Sequence, residues 1–299
     1  MRIAVLCSPE SWYFRDLRRA GELAGHEVID VPFTQLSAGM GTAEKSFPCG
    51  GVDLRTFDAV VVRTMPPGSL EQVVFRMNAL ARLDAAGVTV VNSPKAVEAA
   101  VDKYLTSALL ESAGLRVPRT FVCQTSDEAL AAFATLGGDV VLKPIFGSEG
   151  RGIARLQDEA LAQRAFRMVE QLGGVLYVQE FVAHEGYDLR LFVVGRKVLG
   201  MRRRNPHDWR TNCSRGAVAE PLEVTAELSE LAHRAAAAVG ATVAGVDLLP
   251  GRDGELYAVE VNAVPGWKSL AAALQTDVAR LVVDHVVECA AHKSTRTSS

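Results

Sequence analysis

The chain has 299 residues, 48% apolar and 22% charged, the proportions of an ordinary soluble protein with room for a large core and more than one subdomain. A formal net charge of -3 excludes bulk attraction to nucleic acid or to a membrane surface. Five scattered cysteines without C-x-x-C spacing, and six histidines without H-x-x-x-H spacing, exclude a disulfide framework and a zinc site and fit a reducing compartment.

The opening run Ile3 to Cys7 reads as a strand and is too short for the apolar region of a signal peptide. No run approaches membrane-spanning length, so a cytoplasmic protein is expected. Over the first 93 or so residues, strands Arg2–Cys7, Glu27–Val31, Asp58–Val62 and Val88–Val91 alternate with helices Ser11–Ala24 and Ser69–Ala86. Alternating β and α predicts a small parallel sheet covered by helices. Thr34–Arg55 reads as an irregular excursion. Asn92-Ser93-Pro94 marks a boundary, because Ser93 can cap a helix that opens with proline. One helix is expected from there through Lys103 to about Ala113. Strands Arg119–Cys123, Val140–Pro144, Ile153–Leu156 and Val175–Val182 follow, with helices Ser126–Leu136 and Asp158–Leu172. From Tyr187 onward come several strands, a helix Thr225–Val239, two strands carrying Asp247 and Glu260, and a last helix near Asp277–Cys289. This divides the chain into 1–93, 94–182 and 183–292, with a polar disordered tail at 293–299.

The most informative stretch is Val259-Glu260-Val261-Asn262, preceded by Gly245-Val246-Asp247-Leu248. Residues two apart on a strand point the same way, so Glu260 and Asn262 project together. Asp247, on a neighbouring strand, can join them. Two carboxylates and an amide oxygen form a hard-oxygen set suited to Mg²⁺, with positions left for phosphate oxygens; the plain alternative is a set of charges at strand ends. Phe146 to Gly152 follows the strand ending in Lys143-Pro144. Its glycines Gly147, Gly150 and Gly152, with Ser148 between them, let the backbone approach an anion, though a simple glycine hairpin reads the same way. Lys143, ending an apolar strand beside that loop, is placed to touch phosphate. Lys103 is a second candidate, or an ordinary helix lysine. Gln179, Glu180, Phe181 and Val182 end another apolar strand, where backbone groups can read an adenine edge; an ordinary strand end is the alternative. Asp188 and Arg190 share one strand face, and further cations gather at Arg202-Arg203-Arg204 and Arg210 to Arg215. No Ser-His-Asp or Cys-His pattern demands covalent catalysis.

Taken in this order, these segments resemble the ATP-grasp superfamily and, within it, the RimK-type α-L-glutamate ligases. The resemblance spans Arg63, Asp102-Lys103, Leu142-Lys143-Pro144, Gly147 to Gly152, Val178 to Phe181, Tyr187 to Arg190, Arg210-Thr211-Asn212, Ala244 to Asp247 and Val259 to Asn262. It implies an α/β and α+β chain with the ATP-grasp fold: an N-terminal Rossmann-like (pre-ATP-grasp) domain and two subdomains clamping ATP between them. It implies that Lys103 and Lys143 contact the ATP phosphates under a lid formed by Gly147 to Gly152. Gln179 to Val182 would form the adenine hinge, Asp188 would meet the ribose or order the pocket, and Asn212 would lie near the phosphates. Asp247, Glu260 and Asn262 would hold Mg²⁺, two ions being expected and Mn²⁺ an alternative. Arg190, Arg203 and Arg215 would bind the acyl phosphate or the amino acid.

Ribosomal-protein-modifying members often read ASPG after the Mg²⁺ asparagine, whereas this chain reads Ala263-Val264-Pro265-Gly266-Trp267-Lys268. With Arg63-Thr64-Met65-Pro66-Pro67-Gly68, this is similar to the ligases that add glutamate to tetrahydromethanopterin-type pterins. The expectation is an ATP- and Mg²⁺-dependent carboxylate–amine ligase adding L-glutamate to such an acceptor through an acyl phosphate, as a homo-oligomer with no nucleic-acid or membrane partner. Its rivals are a ligase acting on a ribosomal or other protein C-terminus and a non-catalytic nucleotide-binding module.

Overall fold

Apolar runs bounded by glycine and polar turns form the N-terminal strands β1 (Arg2–Leu6), β2 (Glu27–Val31), β5 (Ala59–Val62) and β6 (Thr89–Val91), in a computed structural model that describes residues 1–41, 46–147 and 150–297. They make a parallel sheet in the order β2-β1-β5-β6, buried on both faces as parallel sheets require. Helices α1 (Trp12–Leu23) and α2 (Leu70–Ala85) cover it. Within the excursion expected between Thr34 and Arg55, Pro48–Cys49 (β3) and Val52–Asp53 (β4) pair as a small hairpin.

The single helix expected after Ser93 is two helices, α3 (Pro94–Val101) and α4 (Lys103–Ser112). Asp102 interrupts them with extended backbone, and its carboxylate caps α4 by accepting from Leu105 N–H at 3.0 Å, an aspartate favouring a cap over a helix interior. The central unit is an antiparallel sheet of β7 (Thr120–Cys123), β8 (Val140–Lys143), β9 (Ala154–Leu156) and β10 (Leu176–Glu180), ordered β7-β10-β8-β9. Helices α5 (Ser126–Thr135) and α6 (Glu159–Gln171) back it.

The third sheet is antiparallel, ordered β13-β12-β11-β14-β15, from β11 (Tyr187–Val194), β12 (Lys197–Arg204), β13 (Val218–Leu222), β14 (Val243–Pro250) and β15 (Leu256–Asn262). Helix α7 (Ala226–Ala238) packs on one face with α3 and α4. Two helices close the chain, α8 (Lys268–Leu274) and α9 (Val278–Thr297). The first was not expected, and the second runs past Cys289 into the residues read as a tail. Helix α9 crosses back: Val278, Val282, Val283 and Val286 share a core with Ile3, Val5 and Val61 of the N-terminal sheet and with Phe192 and Trp267. Packing therefore crosses the sequence divisions at 93 and 182, and the N-terminal sheet and the third sheet share a buried seam.

Candidate active site

Strands β14 and β15 place Asp247 directly opposite Glu260, and Asn262 opposite Gly245. The register slips just after Asp247, a bulge of the kind that re-aims side chains beside active sites. Glu260 and Asn262 share a face, as period two requires. Asp247 is not free: Arg190, its partner on β11, donates to Oδ1 at 2.6 Å, and Arg203 lies 3.0 Å from Oδ2. Arg203 also grips Asp188 with two bonds of 2.7 and 2.5 Å, and Thr211 donates to the same carboxylate at 2.5 Å. Asp188, Arg190, Arg203 and Asp247 are each only 6–7% exposed, so the four charges must neutralise one another. Gly245 permits the arrangement, since a Cβ there would run into the Arg190 guanidinium. Burial pushes the Asp247 carboxyl up, but Arg190 and Arg203 outweigh it and hold the group below the usual carboxylate range.

Glu260 differs. It makes no hydrogen bond or ion pair among the described residues, and burial, then Asp247, raises its carboxyl above the usual range. Asn262 Oδ1 accepts from Val264 N–H at 2.8 Å. No three His, Cys, Asp or Glu side chains cluster as a metal cage among the described residues. Two carboxylates and one amide oxygen fit Mg²⁺ better than a cage would, because that ion retains water and phosphate ligands. An unpartnered half-buried carboxylate is the observation that favours a cation there.

Lys143 ends β8 and donates to Gln179 Oε1 at 2.6 Å. Burial pushes its ammonium down to about 8, with Glu260 opposing. Lys103 opens α4 and donates to Gly147 O at 2.6 Å, and burial lowers it too. Both lysines, Lys143 on β8 and Lys103 on α4, feel the charge of Glu260. Gly147, Gly150 and Gly152 take φ values of +134°, +67° and +72°, which glycine adopts without strain. Asn212 and Arg215 reach the loop from the third sheet: Arg215 donates to Gly150 O at 3.1 Å, and a Cβ on Gly150 would lie 2.7 Å from Asn212 Oδ1. Ser148 lies outside the described residues.

Behind Lys143 is a half-open cavity between the central and third sheets, reaching from Val141 and Phe181 to Asp188, Asn212 and Asp247. The strand end Gln179 to Val182 forms one wall, and its groups divide in a way the sequence did not reveal. Gln179 spends its side chain on Lys143, Thr120 and Tyr177. Glu180 holds Arg119, and the N–H groups of Glu180 and Phe181 bond Arg119 O and Asp139 O. Val182 N–H has no partner among the described residues. Sequence reasoning missed Arg155, whose guanidinium stacks 3.4 Å from the Phe181 ring centroid, and Trp209, edge-on to the same ring. An isolated arginine and tryptophan give no local pattern that could have flagged them.

A second cleft opens on the other side of the carboxylates, between the N-terminal sheet and the third sheet. It shares Asn212 and Asp247 with the first, so the two cavities meet at the charged cluster. Arg63 lines it, stacked 4.8 and 4.6 Å from the Tyr13 and Trp267 ring centroids and donating to Pro265 O at 2.8 Å. Its Nε is buried without a partner. Arg63 thus faces the cleft and also joins two domains, so its loss costs packing as well as charge.

Residues 1–97 match the RimK PreATP-grasp domain and residues 100–286 the RimK-like ATP-grasp domain. The tetrahydromethanopterin:alpha-L-glutamate ligase of Methanosarcina acetivorans is 37% identical over 263 residues, covering 82% of this chain and 81% of that protein. A probable alpha-L-glutamate ligase of Photobacterium profundum is 30% identical over 99% of this chain and 98% of its own. Among solved structures, the ATP-grasp ligase PsnB complexed with minimal precursor, Mg and ADP superposes with a TM-score of 0.76 at 22% identity, covering 96% of this chain and 97% of that one.

Proposed function

The chain belongs to the RimK-like ATP-grasp family, an ATP-dependent ligase fold, and on that premise we propose that it joins L-glutamate to a carboxylate of a tetrahydromethanopterin-type pterin. The observation that carries the reading is the meeting of two cavities at Asp247, one backed by Lys143 and the hinge, the other opening toward Arg63. A nucleotide in the first and an acceptor in the second would bring phosphate and carboxylate together beside Glu260. The match to a tetrahydromethanopterin ligase over most of both chains supports the acceptor class.

A carboxylate is a poor electrophile. Phosphorylation by ATP gives it a leaving group, and the amine then displaces phosphate with little proton chemistry asked of the protein. Positioning and charge stabilisation supply the rate. In this reading Val182 N–H and the Phe181–Trp209 wall hold the base, Asp188 orders the pocket, and Lys103 and Lys143 bind the phosphates. Arg190, Arg203 and Arg215 stabilise charge on the transferring group. Asp247, Glu260 and Asn262 would hold Mg²⁺, which when bound neutralises phosphoryl charge.

The acyl-phosphate route is tested with acceptor carboxylate labelled in ¹⁸O. One label is expected in inorganic phosphate after turnover; label in AMP would contradict it. A pH dependence follows from Lys143. Its ammonium attracts the triphosphate, and burial sets its loss at about 8. Since kcat/KM reports the free enzyme, kcat/KM for ATP is expected to fall above pH 8 by about tenfold per unit, and Lys143→Arg should remove that fall. A flat profile to pH 9.5 would contradict the assignment.

A further inference from the structure

The loop that follows Asn262 is gripped at four points by the N-terminal domain. Asn92 Nδ2 donates to Ala263 O at 2.5 Å, Arg63 donates to Pro265 O at 2.8 Å, and Trp267 Nε1 donates to Asp16 at 3.0 Å. Tyr13 presses so closely on Gly266 that a Cβ there would lie 2.5 Å from its hydroxyl. Lys268 comes next, its ammonium 5.6 Å from the Trp12 ring centroid. A rigid frame therefore presents a lysine at one wall of the cleft.

The charges of that cleft do not balance. Arg190 and Arg203 are neutralised by Asp247 and Asp188. Arg63 and Lys268, lining the same cleft, have no carboxylate partner among the described residues. The hydroxyls of Ser11, Tyr13 and Ser269 stand on the same wall and make no side-chain hydrogen bond among the described residues; Ser11 occupies the N-cap of α1 without capping it. Glu260, the other unpaired charge lining the cleft, belongs to the set that would hold Mg²⁺, so the two cations and the hydroxyl donors remain as a recognition surface for an anion.

We propose that this wall, with Lys268 as its principal cation, binds a second anionic group of the acceptor, a carboxylate or a phosphate that takes no part in bond formation. The inference rests on the ligase reading for the identity of the acceptor, and it adds that a substrate with only the reacting carboxylate is poorly held. Lys268 would act in binding and not on the reacting atoms.

The test is a ligand-observed NMR titration of the full chain, saturated with ADP and Mg²⁺, using glutarate, butyrate and propylphosphonate as probes. One charge-assisted contact implies that glutarate binds about tenfold more tightly than butyrate. Lys268→Ala should bring the two within about twofold, and Lys268→Arg should keep most of the difference. Propylphosphonate tighter than glutarate identifies the group as phosphate, the reverse order as carboxylate. Equal binding of glutarate and butyrate to the wild-type protein, or glutarate binding untouched by Lys268→Ala, would overturn the proposal. Displacement of glutarate by saturating L-glutamate would overturn its assignment to the acceptor. Failure of the ligase reading looks different: no glutamate-dependent ADP release with any acceptor, while Lys268-dependent glutarate binding persists.

Discussion

Glu260→Gln is expected to lower kcat by roughly a thousandfold, since losing a metal ligand in phosphoryl chemistry costs several kcal/mol. The fold should not suffer. Glu260 makes no hydrogen bond or ion pair among the described residues, and its charge sits opposite Asp247 with its carboxyl already raised by burial. Removing that charge relieves repulsion and desolvation, so Tm should stay level or rise slightly. Asn262→Ala should follow in kcat but lose a little stability, because its side chain accepts from Val264 N–H. Near-normal kcat at saturating Mg²⁺ in both variants would remove the pair from the metal set. A large fall in Tm for Glu260→Gln would instead make its role structural.

The largest stability effect is expected at Asn92, which is 3% exposed and uses its whole amide. Its Nδ2 donates to Val243 O at 2.7 Å and to Ala263 O at 2.5 Å, and its Oδ1 accepts from the backbone N–H groups of Thr242 and Val243 at 2.8 and 3.0 Å. Asn92→Ala strands four backbone groups in the seam between domains. Each stranded group costs about 1–3 kcal/mol, so a total near 4 kcal/mol or more is expected, a large share of a typical domain's stability. Asn92→Asp should be no milder, since it keeps the acceptor but loses both donors and buries a charge. Denaturant unfolding measures the loss; a change below about 1 kcal/mol, ordinary for a surface site, would mean that the seam tolerates its absence.

What the sequence made legible was local. Glu260 and Asn262 share a face because a strand has period two, and Asp247 joins them because a neighbouring apolar run pairs with theirs. Gly147, Gly150 and Gly152 marked a loop whose backbone can come close to an anion, and all three take positive φ. Lys143 at a strand end was visible for the same reason. The remainder depends on partners distant in the chain. Nothing near Arg190 or Arg203 signals that each meets an aspartate on another strand, nor near Gln179 that its side chain rather than its backbone would engage Lys143. Asn92, Tyr13 and Asp16 act on residues 150 or more positions away. The break at Asp102 was hidden because a capping aspartate between two helical runs reads as a polar residue on one helix face. The return of α9 to the N-terminal sheet left no trace, since its apolar residues would fit any core.

The most direct test of the account is to assay ADP release with ATP, Mg²⁺ and a tetrahydromethanopterin-type acceptor, with and without L-glutamate, while following the acceptor by mass spectrometry. The account predicts ADP release that depends on both substrates, with one ADP formed for each glutamate joined by an amide bond. ADP release that ignores L-glutamate, or an acceptor that gains no glutamate while ATP is consumed, would contradict it.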